Sequence, residues 1–374
     1  MKLSILCDAI CLGGISRVAL TLADGLVKKG LSAEVAAVHR ESGISMISPM
    51  VNVSVIGCTS QPLALLSPFS GLAGYLKRAK PDVLLSMGHS TNCLAAWAKL
   101  SRRFPFRLIV SEHSAFATRM AGDAKFHQWR RVVRARFLYR QAEACVCVSN
   151  CVADELAGMN VIPRDKAVVI YNPASSPEMA KQIQEPVDDP WLTDHGDGKS
   201  RTPVIMSVGR LLGLKGIDIL ITAFRKLREM GVSAGLMIIG DGPDRNHLET
   251  MVRDTGIDGV RFIGGTANPY AYMARASLVV ISSYYEGFPM TLVEALGCGV
   301  NVVSTDCRCG PREILEGGKW GRLVPVGDPD AMALAMREAL NAPLPSEALT
   351  GRAAYFSTER AVGAYYNLIM AKRS

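Results

Sequence analysis

Short apolar runs alternate with segments of helical periodicity along most of the chain, and this alternation restricts the fold more than any other feature. The runs are rich in Val, Ile and Leu, which is typical of strands that are buried on both faces. The segments between them repeat apolar residues at the spacing of amphipathic helices. Regular alternation of strand and helix predicts βαβ units, and therefore an α/β fold with parallel sheets.

The alternation occurs in two series, which a polar, proline-bearing stretch over residues 172–202 separates. The prolines and the acidic pair Asp188–Asp189 in that stretch indicate a linker. A length of 374 residues also suits two domains of roughly 150 residues each. The predicted strands lie at 3–7, 33–38, 83–87, 108–111 and 144–148 in the first series, and at 204–208, 235–239, 260–263, 278–282, 300–304 and 322–324 in the second.

These patterns predict two Rossmann-like domains in tandem, with a cleft between them. We expect the N-terminal domain over residues 1–175, the linker over 176–202 and the C-terminal domain over 203–374, with the option that the last helix crosses back to the N-terminal domain. The first helix is expected over residues 15–28 with Ser16 as its cap. Because ligands of such folds bind at the carboxyl ends of strands, functional residues are expected in the loops after the strands.

The composition excludes several classes of protein. Hydrophobic residues make up 49% and charged residues 20%, so the chain is too apolar for intrinsic disorder. The sequence has no uninterrupted apolar span of about 20 residues and no signal-peptide cleavage pattern, and both features predict a cytosolic chain. Zinc sites are disfavoured because neither paired CxxC spacing nor HExxH occurs.

The net charge of +8 is concentrated in one segment. Residues 1–186 contain 22 Lys and Arg against 13 Asp and Glu, whereas the rest of the chain is nearly neutral. Residues 99–140 alone contain 11 basic and two acidic residues. Such a cluster indicates contact with phosphate groups, whether of nucleic acid, of a membrane surface or of a phosphorylated substrate.

The centre of that basic segment has the periodicity of a helix. Phe126, Trp129, Val133 and Phe137 fall on one helical face, and three arginines lie beside it. One interpretation is a solvated helix that packs on the N-terminal domain. The alternative is that the helix binds a lipid-linked diphosphate or an anionic membrane surface. The arginines are Arg130, Arg131 and Arg134.

The segment over residues 285–299, "YEGFPMTLVEALGCG", contains two carboxylates eight positions apart. Glu286 ends a strand, a glycine- and proline-bearing turn follows, and Glu294 lies in the first turns of the next helix. The free amides of a helix N-terminus form a phosphate site, and these two carboxylates would hold hydroxyls on its two sides. A plain strand-to-helix turn with solvated acids is the alternative.

A second segment supplies the positive charge that such a site needs. Arg210 and Lys215 stand in "SVGRLLGLKGID", directly after the predicted strand over 204–208. Two cations at the end of a strand neutralise phosphate oxygens.

Together these segments resemble the retaining GT-B glycosyltransferases of glycosyltransferase family four. The resemblance rests on the E-x7-E and R-x4-K spacings, on the "GDGPDR" turn over 240–245 and on the glycine pair after the first strand, and it covers nearly the whole chain. The segment "SEHS" over 111–114 is similar to that of bacterial enzymes that extend lipid-linked oligosaccharides, among them N-acetylgalactosamine transferases.

The resemblance implies a role for each matched residue. Glu294 would bind the ribose hydroxyls and Glu286 the donor sugar, while Arg210 and Lys215 would hold the diphosphate as it leaves. His113 would contact the transferred sugar near the reaction centre. The remaining implied contacts are the amides of Met290, Thr291 and Leu292 on the phosphates, and the close approach of the donor that Gly13 and Gly14 permit.

The implied reaction is transfer of a hexose or N-acetylhexosamine from a UDP-sugar to a lipid-linked or glycan acceptor in surface glycan assembly. The family retains the anomeric configuration and needs no cofactor. The enzyme would act from the cytoplasm, peripherally on the inner face of the cell membrane. Two other functions account for part of the pattern: a non-hydrolysing nucleotide-sugar epimerase, which the E-x7-E spacing disfavours, and a nucleic-acid-binding protein, which leaves the second domain unexplained.

A single D-x-D sequence, Asp328–Asp330, is of the type found at metal sites of the other major glycosyltransferase fold. It immediately precedes a segment of helical periodicity, so we interpret Asp328 as a helix N-cap. We therefore predict that the reaction needs no metal.

Overall fold

The computed structural model describes residues 1–10, 13–40, 51–56, 67–101, 103–115, 125–193 and 202–371. The chain forms two compact units. The first contains residues 1–173 together with 358–374, and the second contains residues 174–357. Each unit has one parallel sheet with helices, and the predicted architecture of two Rossmann-like domains is confirmed.

The first unit contains the strands β1 (Lys2–Ile10), β2 (Ser32–Arg40), β3 (Asn52–Val55), β4 (Val83–Met87), β5 (Arg107–Glu112), β6 (Ala144–Cys147) and β7 (Ala167–Val169). They pair in the order β3-β2-β1-β4-β5-β6-β7, and each pairing is parallel. The direction of strand addition reverses between β1 and β4. Such a switch point is where ligands bind in doubly wound folds.

Within the described residues, the helices of the first unit that precede the second unit are α1 (Gly14–Lys28), α2 (Ser67–Ala79), α3 (His89–Leu100), α4 (Lys125–Tyr139) and α5 (Asn150–Gly158). The prediction that Ser16 caps α1 is wrong. Gly13, in extended conformation, is the N-cap residue, and Ser16 lies buried inside the first turn, where its hydroxyl donates to the carbonyl of Ala9. A serine that has a strand carbonyl within reach satisfies its hydroxyl there instead of at a helix end.

The second unit contains the strands β8 (Val204–Val208), β9 (Gly235–Ile239), β10 (Val260–Gly264), β11 (Leu278–Ile281), β12 (Val302–Thr305) and β13 (Arg322–Val324). Their order is β10-β9-β8-β11-β12-β13, again parallel throughout. The switch point of this sheet lies between β8 and β11. The helices are α6 (Pro177–Ile183), α7 (Ile217–Glu229), α8 (Arg245–Thr255), α9 (Pro269–Met273), α10 (Met290–Gly297), α11 (Pro311–Ile314), α12 (Pro329–Asn341) and α13 (Ser346–Ala354).

All eleven predicted strands are present, and their bounds differ from the predicted ones by three residues at most. The central strand β9 is buried over its whole length, and Leu220, Phe224 and Leu227 of α7 pack into the same core. Two strands were not predicted, β3 and β7, and both lie at the edges of the first sheet. They are only four and three residues long, so neither produces a recognisable apolar run.

The stretch predicted as a linker over residues 176–202 is packed in its described part. It contains α6, which Ser176 caps by accepting from the amide of Met179 over 3.2 Å. Asp189 is buried, and its carboxylate accepts from the Arg261 guanidinium over 3.0 Å. Arg261 also stacks on the Trp191 ring, 4.9 Å from the centroid. Proline and acidic residues here form a fixed ion-paired segment of the second unit, so composition alone was misleading.

The helix α14 (Thr358–Met370) belongs to the first unit although it follows the second in the chain. The Arg107 guanidinium of β5 donates to the carbonyls of Ile369 and Ala371, over 2.7 and 3.0 Å, and pairs with Glu143. Tyr365 of α14 is buried. The start of β5 and the end of α14 are therefore held together by hydrogen bonds.

Candidate functional site

The switch point of the second sheet brings together two residues that the sequence singled out. Lys215 follows β8 and Glu286 follows β11, and these two strands are neighbours. The Lys215 ammonium donates to Oε1 of Glu286 over 2.7 Å, and the Ser283 hydroxyl donates to the same oxygen over 2.7 Å. Motifs that are 71 residues apart in the sequence thus share one charged cluster.

The loops after β8 and β11 are joined through their main chains. The Ser282 hydroxyl donates to the carbonyl of Lys215 over 2.8 Å, and the amide of Tyr284 donates to the carbonyl of Leu214 over 2.8 Å. Gly216 has a φ of 60°, and a Cβ at this position would collide with the carbonyl oxygen of Ser282. The glycine allows the close approach, and the hydrogen bonds then fix the position of Lys215.

Arg210 lies on the same loop as Lys215, with its side chain exposed. The backbone beside it rests on the turn after β9, where the amide of Leu211 donates to the carbonyl of Asp241 over 2.9 Å. Gly240 in that turn has a φ of 138°, and a Cβ there would collide with the carbonyl oxygen of Gly209. The "GDGPDR" segment therefore acts as a turn that supports the Arg210 loop before α8 begins.

Glu294 is buried in α10, unlike an acid of a solvated turn. The Tyr270 hydroxyl donates to its Oε1 over 3.3 Å. Burial and the nearby Glu294 carboxylate raise the pKa of Cys298 to about 12. A carboxylate that is buried beside a hydroxyl and a neutral thiol accepts hydrogen bonds strongly, which suits the binding of a polyol such as ribose.

The N-terminus of α10 follows directly after the loop that carries Glu286. Pro289 is its N-cap residue in extended conformation, so the amides of Met290 and Thr291 head the helix. The amide of Leu292 donates to the carbonyl of Pro289 over 3.1 Å. The first turn therefore already uses the Leu292 amide internally, and the contact of this amide with the phosphates stays a prediction.

In the first unit, His113 follows β5 immediately, and its ring is held by the strand. Nε2 of His113 lies 3.0 Å from Oγ of Ser111, and that hydroxyl lies 3.3 Å from the Tyr365 hydroxyl of α14. Ser111 and Tyr365 are both buried, whereas His113 is half-buried. Tyr365 was not among the predicted residues, because 254 positions separate it from Ser111 and no local pattern marks it.

A buried polar cluster that the sequence did not predict surrounds Glu112, the neighbour of His113. Its side chain is completely inaccessible to solvent, and Oε1 accepts from the Tyr139 hydroxyl and from Nδ2 of Asn92, the latter over 3.1 Å. Nδ1 of His89 lies 3.6 Å from the same oxygen. A sealed carboxylate requires such partners, since its desolvation is otherwise costly.

The same cluster changes the protonation of His89. Burial by itself would lower the pKa of His89, but contacts with Cys93 and Glu112 outweigh it and raise the pKa to about 9. His89 is therefore an imidazolium at neutral pH and forms an ion pair with Glu112. The sequence feature that could have predicted this cluster is the glutamate in "SEHS", because a carboxylate at the end of a buried strand must have a partner.

Gly13 and Gly14 follow β1 at the switch point of the first sheet. Gly13 caps α1, and its carbonyl accepts from the amide of Arg17 over 3.2 Å, while Gly14 is the first helical residue. Residues 11 and 12, between β1 and this pair, lie outside the described residues. The glycine pair thus stands at a helix N-terminus, where backbone donors are available.

The exposed face of α4 is both apolar and basic. Trp129, Val133 and Phe137 are 60, 41 and 51% exposed, and the three predicted arginines, Arg130, Arg131 and Arg134, are exposed as well. The side chain of Phe126 lies outside the described residues. Packing on the first unit uses Ala135, Leu138 and Tyr139 instead.

A solvated helix that packs on the N-terminal domain, one of the two interpretations from the sequence, is therefore consistent with α4, because its arginines are exposed while Ala135, Leu138 and Tyr139 are buried. Because these three buried residues occupy the packing side, Trp129, Val133 and Phe137 face solvent. Among the helices that the structure describes, none is long and apolar enough to cross a membrane.

Asp328 caps α12, as predicted, by accepting from the amide of Ala331 over 2.9 Å. Asp330, the other acid of the D-x-D sequence, pairs with Lys226 over 2.7 Å. In the described parts of the chain, no group of three or more His, Cys, Asp or Glu side chains is arranged to hold a metal ion.

Two family models match the two halves of the chain. The model for Glycosyltransferase Family 4 matches residues 12–175, and the model for Glycosyl transferases group 1 matches residues 193–355. Each match therefore covers most of one Rossmann-like domain.

Two relatives match over most of their length. The chain is 26% identical to N-acetylgalactosamine-N,N'-diacetylbacillosaminyl-diphospho-undecaprenol 4-alpha-N-acetylgalactosaminyltransferase of Campylobacter jejuni, over 91% of this chain and 90% of that protein. It is 27% identical to the lipopolysaccharide core biosynthesis glycosyltransferase LpsE of Rhizobium meliloti, over 79% of this chain and 78% of that protein.

The fold is also similar to that of solved glycosyltransferases. Anabaena HepE, in complex with UDP and glucose, superimposes with a TM-score of 0.78 at 19% identity, and the match covers 100% of both chains. With a glycosyltransferase domain matched in each half and this fold over its whole length, the protein belongs to the GT-B glycosyltransferases.

Proposed function

We propose that the protein transfers a hexose or N-acetylhexosamine from a UDP-sugar to a lipid-linked or glycan acceptor during assembly of a surface glycan. The observation that carries the proposal is the Lys215–Glu286 pair at the switch point of the second sheet. The pair combines a cation for phosphate oxygens with a carboxylate for sugar hydroxyls. That combination is what a nucleotide sugar needs where its sugar meets its diphosphate.

The donor is bound by groups of the second unit. Lys215 and the exposed Arg210 neutralise the diphosphate, and the amides of Met290 and Thr291 add the positive end of α10. Glu286 holds hydroxyls of the donor sugar. Glu294 accepts from the ribose hydroxyls. The Lys215–Glu286 hydrogen bond holds both side chains in place before the donor binds, which lowers the entropic cost of ordering them.

The transfer proceeds with retention and without a protein nucleophile. The bond between the anomeric carbon and the phosphate oxygen breaks as the acceptor hydroxyl bonds to the same face of the sugar. The acceptor proton passes to the leaving phosphate oxygen. Lys215 and Arg210 stabilise the negative charge that develops on the diphosphate. The role proposed for His113 is contact with the transferred sugar. No metal takes part.

Similarity to named proteins supports the substrate classes. HepE has been solved in complexes with UDP and with UDP-glucose, which supports a uridine nucleotide donor. The Campylobacter relative carries a diphospho-undecaprenol acceptor in its name, which supports a lipid diphosphate acceptor. We therefore take UDP-sugar and lipid diphosphate as the first pair of substrates to test.

The exposed face of α4 provides the attachment to the acceptor or to the membrane. Trp129, Val133 and Phe137 would enter the headgroup region, while the adjacent arginines bind anionic headgroups or the acceptor diphosphate. An apolar stripe flanked by arginines is the arrangement of interfacial helices. The protein would thus work peripherally on the cytoplasmic face of the cell membrane.

The test is a screen of nucleotide sugars by thermal unfolding, followed by transfer assays. A donor at 100 times its dissociation constant adds about 2.7 kcal/mol to the free energy of unfolding. A UDP-sugar should raise the melting temperature, and Lys215→Ala should abolish that rise. NMR of the first product should show the donor's anomeric configuration. Transfer should persist in chelator, and inversion or a strict manganese requirement would contradict the mechanism.

A further inference from the structure

A chain of buried hydroxyl groups joins α14 to His113. The Tyr365 hydroxyl lies 3.3 Å from Oγ of Ser111, and that oxygen lies 3.0 Å from Nε2 of His113. Ser111 and Tyr365 are shielded from solvent, so water does not compete for these bonds. These hydrogen bonds connect α14, near the end of the sequence, to His113, which the proposed function places at the transferred sugar.

The acidity of the groups determines which of them donates each hydrogen bond. A phenol is the more acidic of the two hydroxyls and the better donor, so Tyr365 donates to Ser111. Ser111 then has its own proton available for Nε2 of His113. A nitrogen that accepts a hydrogen bond carries no proton, so the single proton of the neutral imidazole stays on Nδ1.

We propose that Tyr365 and Ser111 are positioning residues that fix the tautomer and ring orientation of His113, with the proton of the neutral imidazole on Nδ1. This inference rests on the proposed function for the role of His113, but the tautomer itself is a property of the protein alone.

The surroundings of Ser111 make it a rigid intermediary. Its carbonyl accepts from the amide of Gly88 over 2.9 Å and from Nδ2 of Asn92 over 2.9 Å. Its backbone is paired with β4 and β6 on either side. Burial raises the pKa of Tyr365, so that its hydroxyl remains a neutral donor. The hydrogen bonds from Tyr365 through Ser111 to His113 therefore have one stable geometry.

The direct test is NMR of the full-length protein labelled with 15N in histidine, at a pH above the ordinary pKa of the imidazole. The signal of His113 is assigned from its loss in His113→Asn. We expect Nε2 to resonate as an unprotonated nitrogen and Nδ1 as a protonated one. A wild-type signal with the proton on Nε2 overturns the proposal, whatever the variants do.

Tyr365→Phe removes only the donor hydroxyl and should shift His113 toward a mixture of tautomers. The matched control is Tyr366→Phe, because Tyr366 is the next residue on the same helix and its ring packs near Lys29, 5.5 Å from the ammonium group. The control should leave the His113 signals unchanged. Unaltered His113 signals in folded Tyr365→Phe contradict the proposal.

Kinetics separate positioning from stability. Tyr365→Phe should lower kcat about three- to tenfold, the effect of one neutral hydrogen bond, with KM for the donor unchanged. Ser111→Ala should act alike, and the double variant should lose no more than Ser111→Ala alone. An unchanged kcat in Tyr365→Phe contradicts the positioning role. If His113→Ala itself keeps full activity, the proposed role of His113 fails, while the NMR result still decides the tautomer.

Discussion

Each sheet has a glutamate at or just after the end of a strand, but the two carboxylates differ in their exposure to solvent. In the second unit the Lys215–Glu286 pair is partly open, with 30% and 12% of the two side chains exposed. In the first unit the Glu112 carboxylate is sealed among Tyr139, Asn92 and His89. A half-open ion pair can exchange its partner for a ligand oxygen at little cost, whereas a sealed carboxylate cannot be released without leaving buried charge unpaired. The first arrangement suits ligand binding, and the second suits a fixed support for the strand end that carries His113.

The largest effect is expected from Lys215→Ala. Loss of one preorganised group that stabilises developing charge should lower kcat by about 10²–10³. Lys226→Ala is the matched control, because Lys226 is 29% exposed and pairs with Asp330 at the same 2.7 Å, away from the switch point. Steady-state rates of both variants decide the matter. Equal effects of the two lysines would remove the distinction between a ligand-binding pair and an ordinary surface pair.

Reversal of charge on α4 should come next. The triple variant Arg130→Glu, Arg131→Glu, Arg134→Glu should weaken sedimentation with anionic vesicles on the order of 100-fold, because each basic residue near such a surface contributes about 1 kcal/mol. Transfer to a lipid diphosphate acceptor should fall with it, and high salt should weaken wild-type binding in the same direction. Donor-induced stabilisation should survive.

The control for α4 carries the same change of charge on exposed residues of the same unit, Lys77→Glu, Arg78→Glu and Lys80→Glu. A second pair of variants, Trp129→Gln and Phe137→Gln, should reduce vesicle binding without lowering the melting temperature, because both rings are exposed. Full vesicle binding by the folded arginine variant would make α4 a plain solvated helix.

A smaller effect is expected from Glu294→Gln, which keeps the size of the side chain and its contact with Tyr270. A hydrogen bond to a charged acceptor is worth about 1.5–3 kcal/mol, so the affinity for UDP should fall by roughly 10- to 100-fold. Titration calorimetry with UDP measures this affinity. The ribose assignment is wrong if the folded variant binds UDP like the parent.

The sealed cluster predicts a dependence of stability on pH. The pKa of His89 is raised from 6.5 to about 9, so the folded protein binds a proton that the unfolded chain releases. The stabilisation is complete below about pH 6.5 and is lost as the pH rises through 9, at up to about 1.4 kcal/mol per pH unit. Denaturant unfolding between these pH values measures the slope. His89→Gln should flatten it, and an equal slope in the variant would exclude the ion pair with Glu112 as its source.

The sequence predicted the interior of both sheets well and their margins poorly. Strands such as β9 are buried on both faces, so all five consecutive residues of β9 are apolar and the strand is recognisable in the sequence. The edge strand β3 has one partner and mixed exposure, and its four residues give no comparable signal. Asp189 resembled a linker residue because composition does not reveal an ion pair with a residue 72 positions away.

The candidate site divides in the same way. Lys215 and Glu286 lie in compact motifs, each next to a predicted strand, so their types and spacing were readable. The Glu112 cluster and Tyr365 arise from elements that only tertiary folding brings together. The exposure of Trp129 was unpredictable for a similar reason, because periodicity identifies an apolar stripe and not the surface that it faces.

The position of α14 in the chain has a consequence for biosynthesis. Residues 1–173 leave the ribosome first, but the helix that completes their unit is translated only after the whole of residues 174–357. Until then the acceptors of Arg107 on α14 and the hydroxyl partner of Ser111 are missing. The first unit therefore depends on the last segment of the chain to be synthesised, whereas the second is continuous in sequence. A released chain that is truncated before residue 358 should therefore keep the second unit intact and destabilise the first.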